Sequence, residues 1–237
     1  EAIRINPTFA LAFSNRGNVF ERQGDIARAI ADYDRAIELD PKTALHYYNR
    51  AVTRFGQGNF RQAIADYDHV LALEPRDFVS LHNRGLSYER LRDYDRAIAD
   101  FDEAIRINPK FTRGYKARGN AYQAKGDSQH ALADFNQAVA LDANEAAVFL
   151  YRGSFYFAAK SYDLAITDFN SAINIDPAFP GAYAARGYAH MLENDLDLSL
   201  ADFDKALTLD PNFADAYYGR AQIYQIKKDA DRALADF

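Results

Sequence analysis

The chain contains no cysteine and no tryptophan. Without thiols it forms no disulfide and offers no thiolate to a metal, which leaves its redox compartment open. Long apolar runs are missing too. The most apolar stretch, "AAVFLYRGSFYFAAK", is broken by Arg152 and falls short of the roughly 18 residues that a membrane helix needs, so no membrane span is expected. The opening "EAIRINP" lacks the apolar centre of a signal peptide and reads as the end of a helix, so the chain is expected to start in mid-structure, as a piece of something longer. Positive charge is not in excess. A formal net charge of −6 argues against nucleic-acid phosphates as the main partner. The 5 histidines form no HExxH pair, no nucleophile motif is present, and "GQGNFR" at 56–61 lacks the third glycine of a phosphate loop. A non-enzymatic chain without metal or cofactor is expected.

What the chain has is aromatic residues (16 Tyr and 17 Phe) and a repeat. "SNRG" at 14–17 returns as "YNRA" at 48–51 and "HNRG" at 82–85. Proline falls at Pro7, Pro41, Pro75, Pro109, Pro177 and Pro211, with Ala143 at the one missed beat. Within a unit, Phe13, Gly17 and Phe20 and then Ala29, Tyr33 and Ala36 are spaced i, i+4, i+7, which is helical periodicity twice per unit. Gly24-Asp25, Gly58-Asn59 and Gly126-Asp127 supply a left-handed helix stop followed by an N-cap. Arg92-Asp93, Lys160-Ser161, Asn194-Asp195 and Lys228-Asp229 keep the cap without the glycine. Each unit therefore reads as helix A, tight turn, helix B, then Asp-Pro or Asn-Pro. No strand pattern competes.

This pattern resembles the tetratricopeptide repeat, with aromatic-x₂-Leu-Gly-x₂-Tyr, then Ala-x₃-Phe, then Pro. The resemblance covers the whole chain as one array. Repeats are expected at 10–43, 44–77, 78–111, 112–145, 146–179 and 180–213, with 1–9 as the tail of a preceding repeat and 214–237 as a partial one. It implies an all-α solenoid of antiparallel helix pairs, stacked into a right-handed superhelix with the A helices lining the concave side. It also implies an interaction scaffold that binds an extended peptide segment of a partner protein. The rival readings are a self-associating segment, forming homo-oligomers through uncapped ends, and a targeting arm of a larger enzyme whose catalytic part lies elsewhere.

Two columns carry the predicted roles. Where the family has Leu before the small residue of helix A, this chain has Arg16, Arg50, Arg84, Arg118, Arg152, Arg186 and Arg220. An unpaired charge on that inward stripe is costly. The second charged column, Asp32, Asp66, Asp100, Asp134, Asp168, Asp202 and Asp236, sits on the inward stripe of helix B. Facing residues of an antiparallel pair have numbers with a nearly constant sum, which brings Arg16 opposite Asp32. A structural Arg–Asp pair within each unit is the expectation.

One residue back, about 100° around the helix, lie Asn15, Asn49 and Asn83, on a stripe with Leu11 and Asn18. A side-chain amide both donates and accepts, and so holds a peptide main chain of any sequence. This is similar to the asparagine ladder of the repeat array attached to O-linked N-acetylglucosamine transferase. Tyr48, His82, Lys116, Asn120, Leu150, Tyr151 and Tyr188 complete the expected peptide-binding set. Ala147, Phe157, Ala184, Met191 and Leu192 are expected to extend it as an apolar half of the groove. The carboxylate clamp of co-chaperone members is incomplete in every register: Lys116 and Asn120 match, but Tyr151, Gly181 and Ala185 replace the rest.

Overall fold

The computed structural model describes residues 1–237 and contains helices and turns only. A short α1 (Ala2–Ile5) is followed by A and B helices in alternation. The pairs are α2 (Ala10–Arg22) with α3 (Ile26–Leu39), α4 (Ala44–Gly56) with α5 (Phe60–Leu73), and α6 (Phe78–Arg90) with α7 (Tyr94–Ile107). They continue through α8 (Thr112–Ala124), α9 (Ser128–Leu141), α10 (Ala146–Ala158), α11 (Tyr162–Ile175), α12 (Pro180–Leu192), α13 (Leu196–Leu209), α14 (Ala214–Ile226) and α15 (Ala230–Asp236). Two compact units form, Glu1–Asp127 and Ser128–Phe237, and the division falls in the turn between α8 and α9. Within each unit a helix packs against the next one in sequence, and A helices also touch the A helix of the following repeat. This is the helix-pair solenoid architecture that the repeat implies.

Turn chemistry explains the punctuation. Gly24, Gly58 and Gly126 adopt φ of 77°, 75° and 82°. Arg92, Lys160, Asn194 and Lys228 take up the same left-handed conformation at 60–67°, which costs an L-residue about 1–2 kcal/mol. The hydrogen bonds that close the turn are the same with or without glycine: Gly24 N–H reaches Glu21 O, and Lys160 N–H reaches Phe157 O, each at 2.9 Å. The N-caps are less uniform than the sequence suggests. Asp25, Asp93 and Asp229 accept from the backbone N–H three residues on, whereas Asn59, Ser161 and Asp195 make no side-chain cap bond.

Between repeats, the residue before proline does as much as the proline. Asn6, Asp40, Asn108, Asp176 and Asp210 each accept the backbone N–H two residues on, at 2.9–3.2 Å. Asp142 does so at 3.3 Å although Ala143 replaces proline, so the missed beat leaves the turn intact. Glu74 alone among these positions makes no such bond.

The core of each pair is one helix-B ring against one small helix-A residue. Tyr33, Tyr67, Phe101, Phe135, Phe169 and Phe203 are fully buried. A methyl group on Gly17, Gly85 or Gly153 would fall 2.6 Å from a ring carbon of Tyr33, Phe101 or Phe169 respectively. In these repeats the ring lies so close to the helix-A backbone that a methyl group fits only if the ring shifts. Where the second repeat has Ala51 instead, it too is fully buried, against Tyr67.

Candidate functional site

The arginine column ties helices together. Arg16 bonds both carboxylate oxygens of Asp32 at 2.7 and 2.8 Å. Arg50 does the same to Asp66, Arg84 to Asp100, Arg152 to Asp168, Arg186 to Asp202 and Arg220 to Asp236, each through Nε and Nη2 at 2.6–3.0 Å. The bond to Asp100 holds the Arg84 guanidinium above its usual range. Asp134 is buried like its counterparts.

A second set of bonds was missed in the sequence. The third nitrogen, Nη1, reaches back to the preceding helix B: Arg50 to Asp34, Arg84 to Asp68, Arg118 to Asp102, Arg152 to Asn136, Arg186 to Asn170 and Arg220 to Asp204. Each of these arginines sits 16 residues after one acceptor, and the sequence signal was the recurring Asp-aromatic-Asp or Asp-aromatic-Asn in helix B. One guanidinium thus bonds two successive B helices. Arg16, which bonds only Asp32, keeps 47% of its side chain exposed against 15% for Arg50.

The asparagine column lies between successive A helices. Asn49 Nδ2 donates to Ser14 Oγ at 3.2 Å, and Asn83 Nδ2 donates to the Tyr48 hydroxyl at 3.3 Å. Asn15 is exposed and bonds nothing. Asn49 and Asn83 follow repeats whose buried ring is a tyrosine, Tyr33 or Tyr67. Where that ring is Phe101, Phe135, Phe169 or Phe203, the column holds Ala117, Tyr151, Ala185 or Gly219. This column therefore also serves the polar seam around the tyrosines. In that seam Tyr33 O–H donates to Asn18 Oδ1 at 2.8 Å, and Thr53 O–H donates to Glu21 at 2.7 Å. Burial, and then the Glu21 charge, pushes the Tyr33 hydroxyl up to about 12.

Several expected groove residues are placed elsewhere. Asn18 is tied to Tyr33 of its own helix pair rather than left free for a ligand, because the buried hydroxyl needs an acceptor. His82 is 9% exposed, its ring set against Phe101 and Phe111, so it belongs to the packing between repeats and not to an open surface. Leu150 and Phe157 pack with Phe169 and Ala189. Tyr188 and Met191 pack against the cluster around Phe203, Tyr188 O–H donates to the Asp215 carbonyl at 2.8 Å, and Ala184 is buried. The expected apolar half of the groove is thus mostly inter-repeat packing, since consecutive A helices meet there. Tyr151 and Leu192 remain exposed. Lys116 and Asn120 are half-buried on α8. His190, Glu193 and Asp195 bring ligand-type atoms within 4.8 Å at the α12–α13 turn. The two carboxylates there are exposed, and His190 also faces Asp202 at 3.9 Å.

The position of His82 has a pH consequence. Burial, reinforced by Arg113 and Lys116, lowers its imidazole from 6.5 to about 4. Between those values the unfolded chain binds the extra proton. This contribution is therefore complete above about pH 6.5, declines as the pH falls, and is gone below about pH 4. At pH 5 the loss is about 2 kcal/mol. Urea unfolding of wild type and His82→Phe at pH 7.5 and pH 5 checks this: the difference between the two proteins should change by that amount, and a difference independent of pH would refute the assignment.

Three recesses open in residues 1–127: one, of about 480 Å³, is lined by Glu74, Pro75, Arg76, Asp77 and Phe78 of the α5–α6 turn, and two lie beside Tyr48 and Asn83. Of these two, one, of about 340 Å³, is lined by Ala44, Leu45, Tyr48, Val70, Glu74, Asp77 and Val79. The other, of about 80 Å³, is lined by Val52, Phe55, Tyr67, Asn83 and Leu86. Tyr48 and Asn83, one lining each of these two, are bonded to one another.

Sequence profiles described as "Tetratricopeptide repeat" match residues 10–43 and 78–111, and 47–77 and 113–145. A profile described as "TPR repeat" matches residues 153–193 and 187–227. No curated protein sequence matches the chain significantly. Among similar solved structures is a tetratricopeptide repeat protein from Parabacteroides merdae ATCC 43184, with TM-score 0.79 and 21% identity over 96% of this chain and 90% of that one. Yeast Tom70 superposes with TM-score 0.74 and 19% identity over 96% of this chain and 48% of its own. YrrB, described as a TPR protein with an unusual peptide-binding site, gives TM-score 0.56 and 22% identity over 83% and 97%. At these identities the structural likeness speaks for the fold alone. Since these profiles together cover most of the chain, and its helices alternate as the repeat requires, this chain belongs to the tetratricopeptide-repeat family.

Proposed function

We propose that the chain is a protein-interaction scaffold whose A-helix face in residues 1–127 holds an extended segment of a partner protein. The observation that carries this reading is the state of the three amides. Asn15 is unbonded, Asn49 uses one N–H on the preceding A helix and retains an acceptor oxygen and a second N–H, and Asn83 bonds Tyr48 of the preceding A helix and also reaches the buried Tyr67 hydroxyl. Exposed Leu11, Leu45 and Val52 flank them, so a polar ladder for main chain runs beside apolar anchors for side chains. The fold supports such a role, being in general a non-catalytic scaffold for protein–protein contacts, and a peptide-binding site is described for the similar YrrB.

Peptides selected by phage display on the chain, with affinity read by fluorescence anisotropy, test the reading. Asn15→Ala combined with Asn83→Ala should weaken binding about tenfold, equivalent to about 1.4 kcal/mol. Asn15→Ala by itself should leave the melting temperature unchanged. Undiminished affinity in the double variant would remove the amides from the site.

A further inference from the structure

The 340 Å³ recess lies where its repeat departs twice from the commonest residue of the other repeats. At the residue that precedes each A helix, the chain has Phe9, Phe111, Phe179 and Phe213 in four repeats but Thr43, Asp77 and Glu145 in the other three. In the next junction Phe111 fills the equivalent space, its ring 5.0 Å from those of both Phe78 and His82. Phe179 and Phe213 likewise pack into the cluster around Phe203. Where Asp77 takes that place, the slot between Ala44, Leu45, Tyr48, Val70 and Val79 stands open.

The second departure is Glu74. Every other pre-proline residue, or its Asp142 counterpart, is Asp or Asn with its side chain bonded into the turn. Glu74 is one methylene longer and exposed, and its carboxylate makes no hydrogen bond or ion pair. Asp77 uses Oδ1 on the Val79 N–H at 3.1 Å, which occupies the α6 N-terminus with the chain's own carboxylate and leaves Oδ2 unbonded. An apolar slot therefore ends in two carboxylates that form no ion pair, with Arg76 of the same turn lining the neighbouring recess beside them.

We propose that this recess takes a lysine or arginine side chain of the bound segment, its aliphatic stem along Leu45, Val70 and Val79 and its cationic head against Glu74 and Asp77. Long basic side chains combine an apolar stem with a charged tip, and rim carboxylates of this kind select partners by sign of charge. The Tyr48 hydroxyl, which accepts from Asn83 and retains its own proton, stands on the wall between this slot and the amide column. The inference rests on the peptide-binding reading above and gives it a preferred partner: an extended segment with a basic anchor.

The test compares wild type with Glu74→Asn/Asp77→Phe, which places at both positions residues found in sister repeats, Asn6 and Asn108 for the first and Phe9 and Phe111 for the second, with folding checked by circular dichroism. A random peptide library displayed on phage is selected against each protein. Recovered peptides are then synthesised with the anchor residue as Lys, Arg, Gln or Glu and measured by anisotropy at 50 and 300 mM NaCl. The expected result is one position enriched in Lys or Arg on wild type, at least a tenfold loss on Lys→Gln, and loss of that preference on the double variant, to which the Lys and Gln peptides should bind alike. Peptides that bind without a basic preference, or with one that survives in the double variant, would overturn the anchor and leave the scaffold reading standing. A library that yields no binder to wild type would overturn both.

Discussion

Replacing Asp66 by alanine is expected to lower the unfolding free energy by about 3–5 kcal/mol. Only 2% of the Asp66 side chain is exposed, and it receives Arg50 through two bonds and Arg54 through a third. Removing it leaves Arg50, itself largely buried, bonded to Asp34 alone. The pair need not be more stabilising than the leucine found elsewhere in the family. The penalty arises from stranding one charge, because desolvation of Arg50 is no longer compensated. Asp34→Ala is the matched control. It breaks the other bond to the same guanidinium, but Asp34 is 45% exposed, so water replaces it and the cost stays within about 1 kcal/mol. Urea unfolding followed by circular dichroism at neutral pH compares the two. Equal effects would show that the inner and outer carboxylates are energetically alike, contrary to their burial.

The second large effect is expected from Phe169→Ala, at about 3–5 kcal/mol. The ring is fully buried between α10 and α11, and Gly153 faces it so closely that no side chain there could collapse into the space left behind. A repeat array is stabilised mainly by nearest-neighbour contacts. The loss should therefore be local, with hydrogen-exchange protection falling first in α10–α12, which hold Phe169 and the Leu150, Phe157 and Ala189 side chains around it. Uniform loss of protection across residues 1–237 would instead indicate one cooperative unit.

Helix positions, turns and inner ion pairs could be read in the chain because each depends on residues within one repeat. The spacing of Phe13, Gly17, Ala29 and Tyr33 selects a helix hairpin, and the register of that hairpin brings Arg16 to Asp32. The outer carboxylates went unseen for the complementary reason. Asp34 meets Arg50 across the junction of two repeats, a geometry set by the angle at which hairpins stack and not by spacing along either helix. The same holds for His82, Leu150 and Tyr188. Each occupies a face that is open on an isolated hairpin and closes only when the next A helix arrives.

By itself, then, the order of residues determined the all-helical repeat, its punctuation and the charge pairs inside each hairpin, since local periodicity and local turn chemistry suffice for those. Tertiary structure alone decided which inward-looking side chains stay accessible, and that a slot stands open beside Asp77 and the unbonded Glu74 carboxylate. Accessibility is a property of the stacked neighbours, because it depends on what a second hairpin covers.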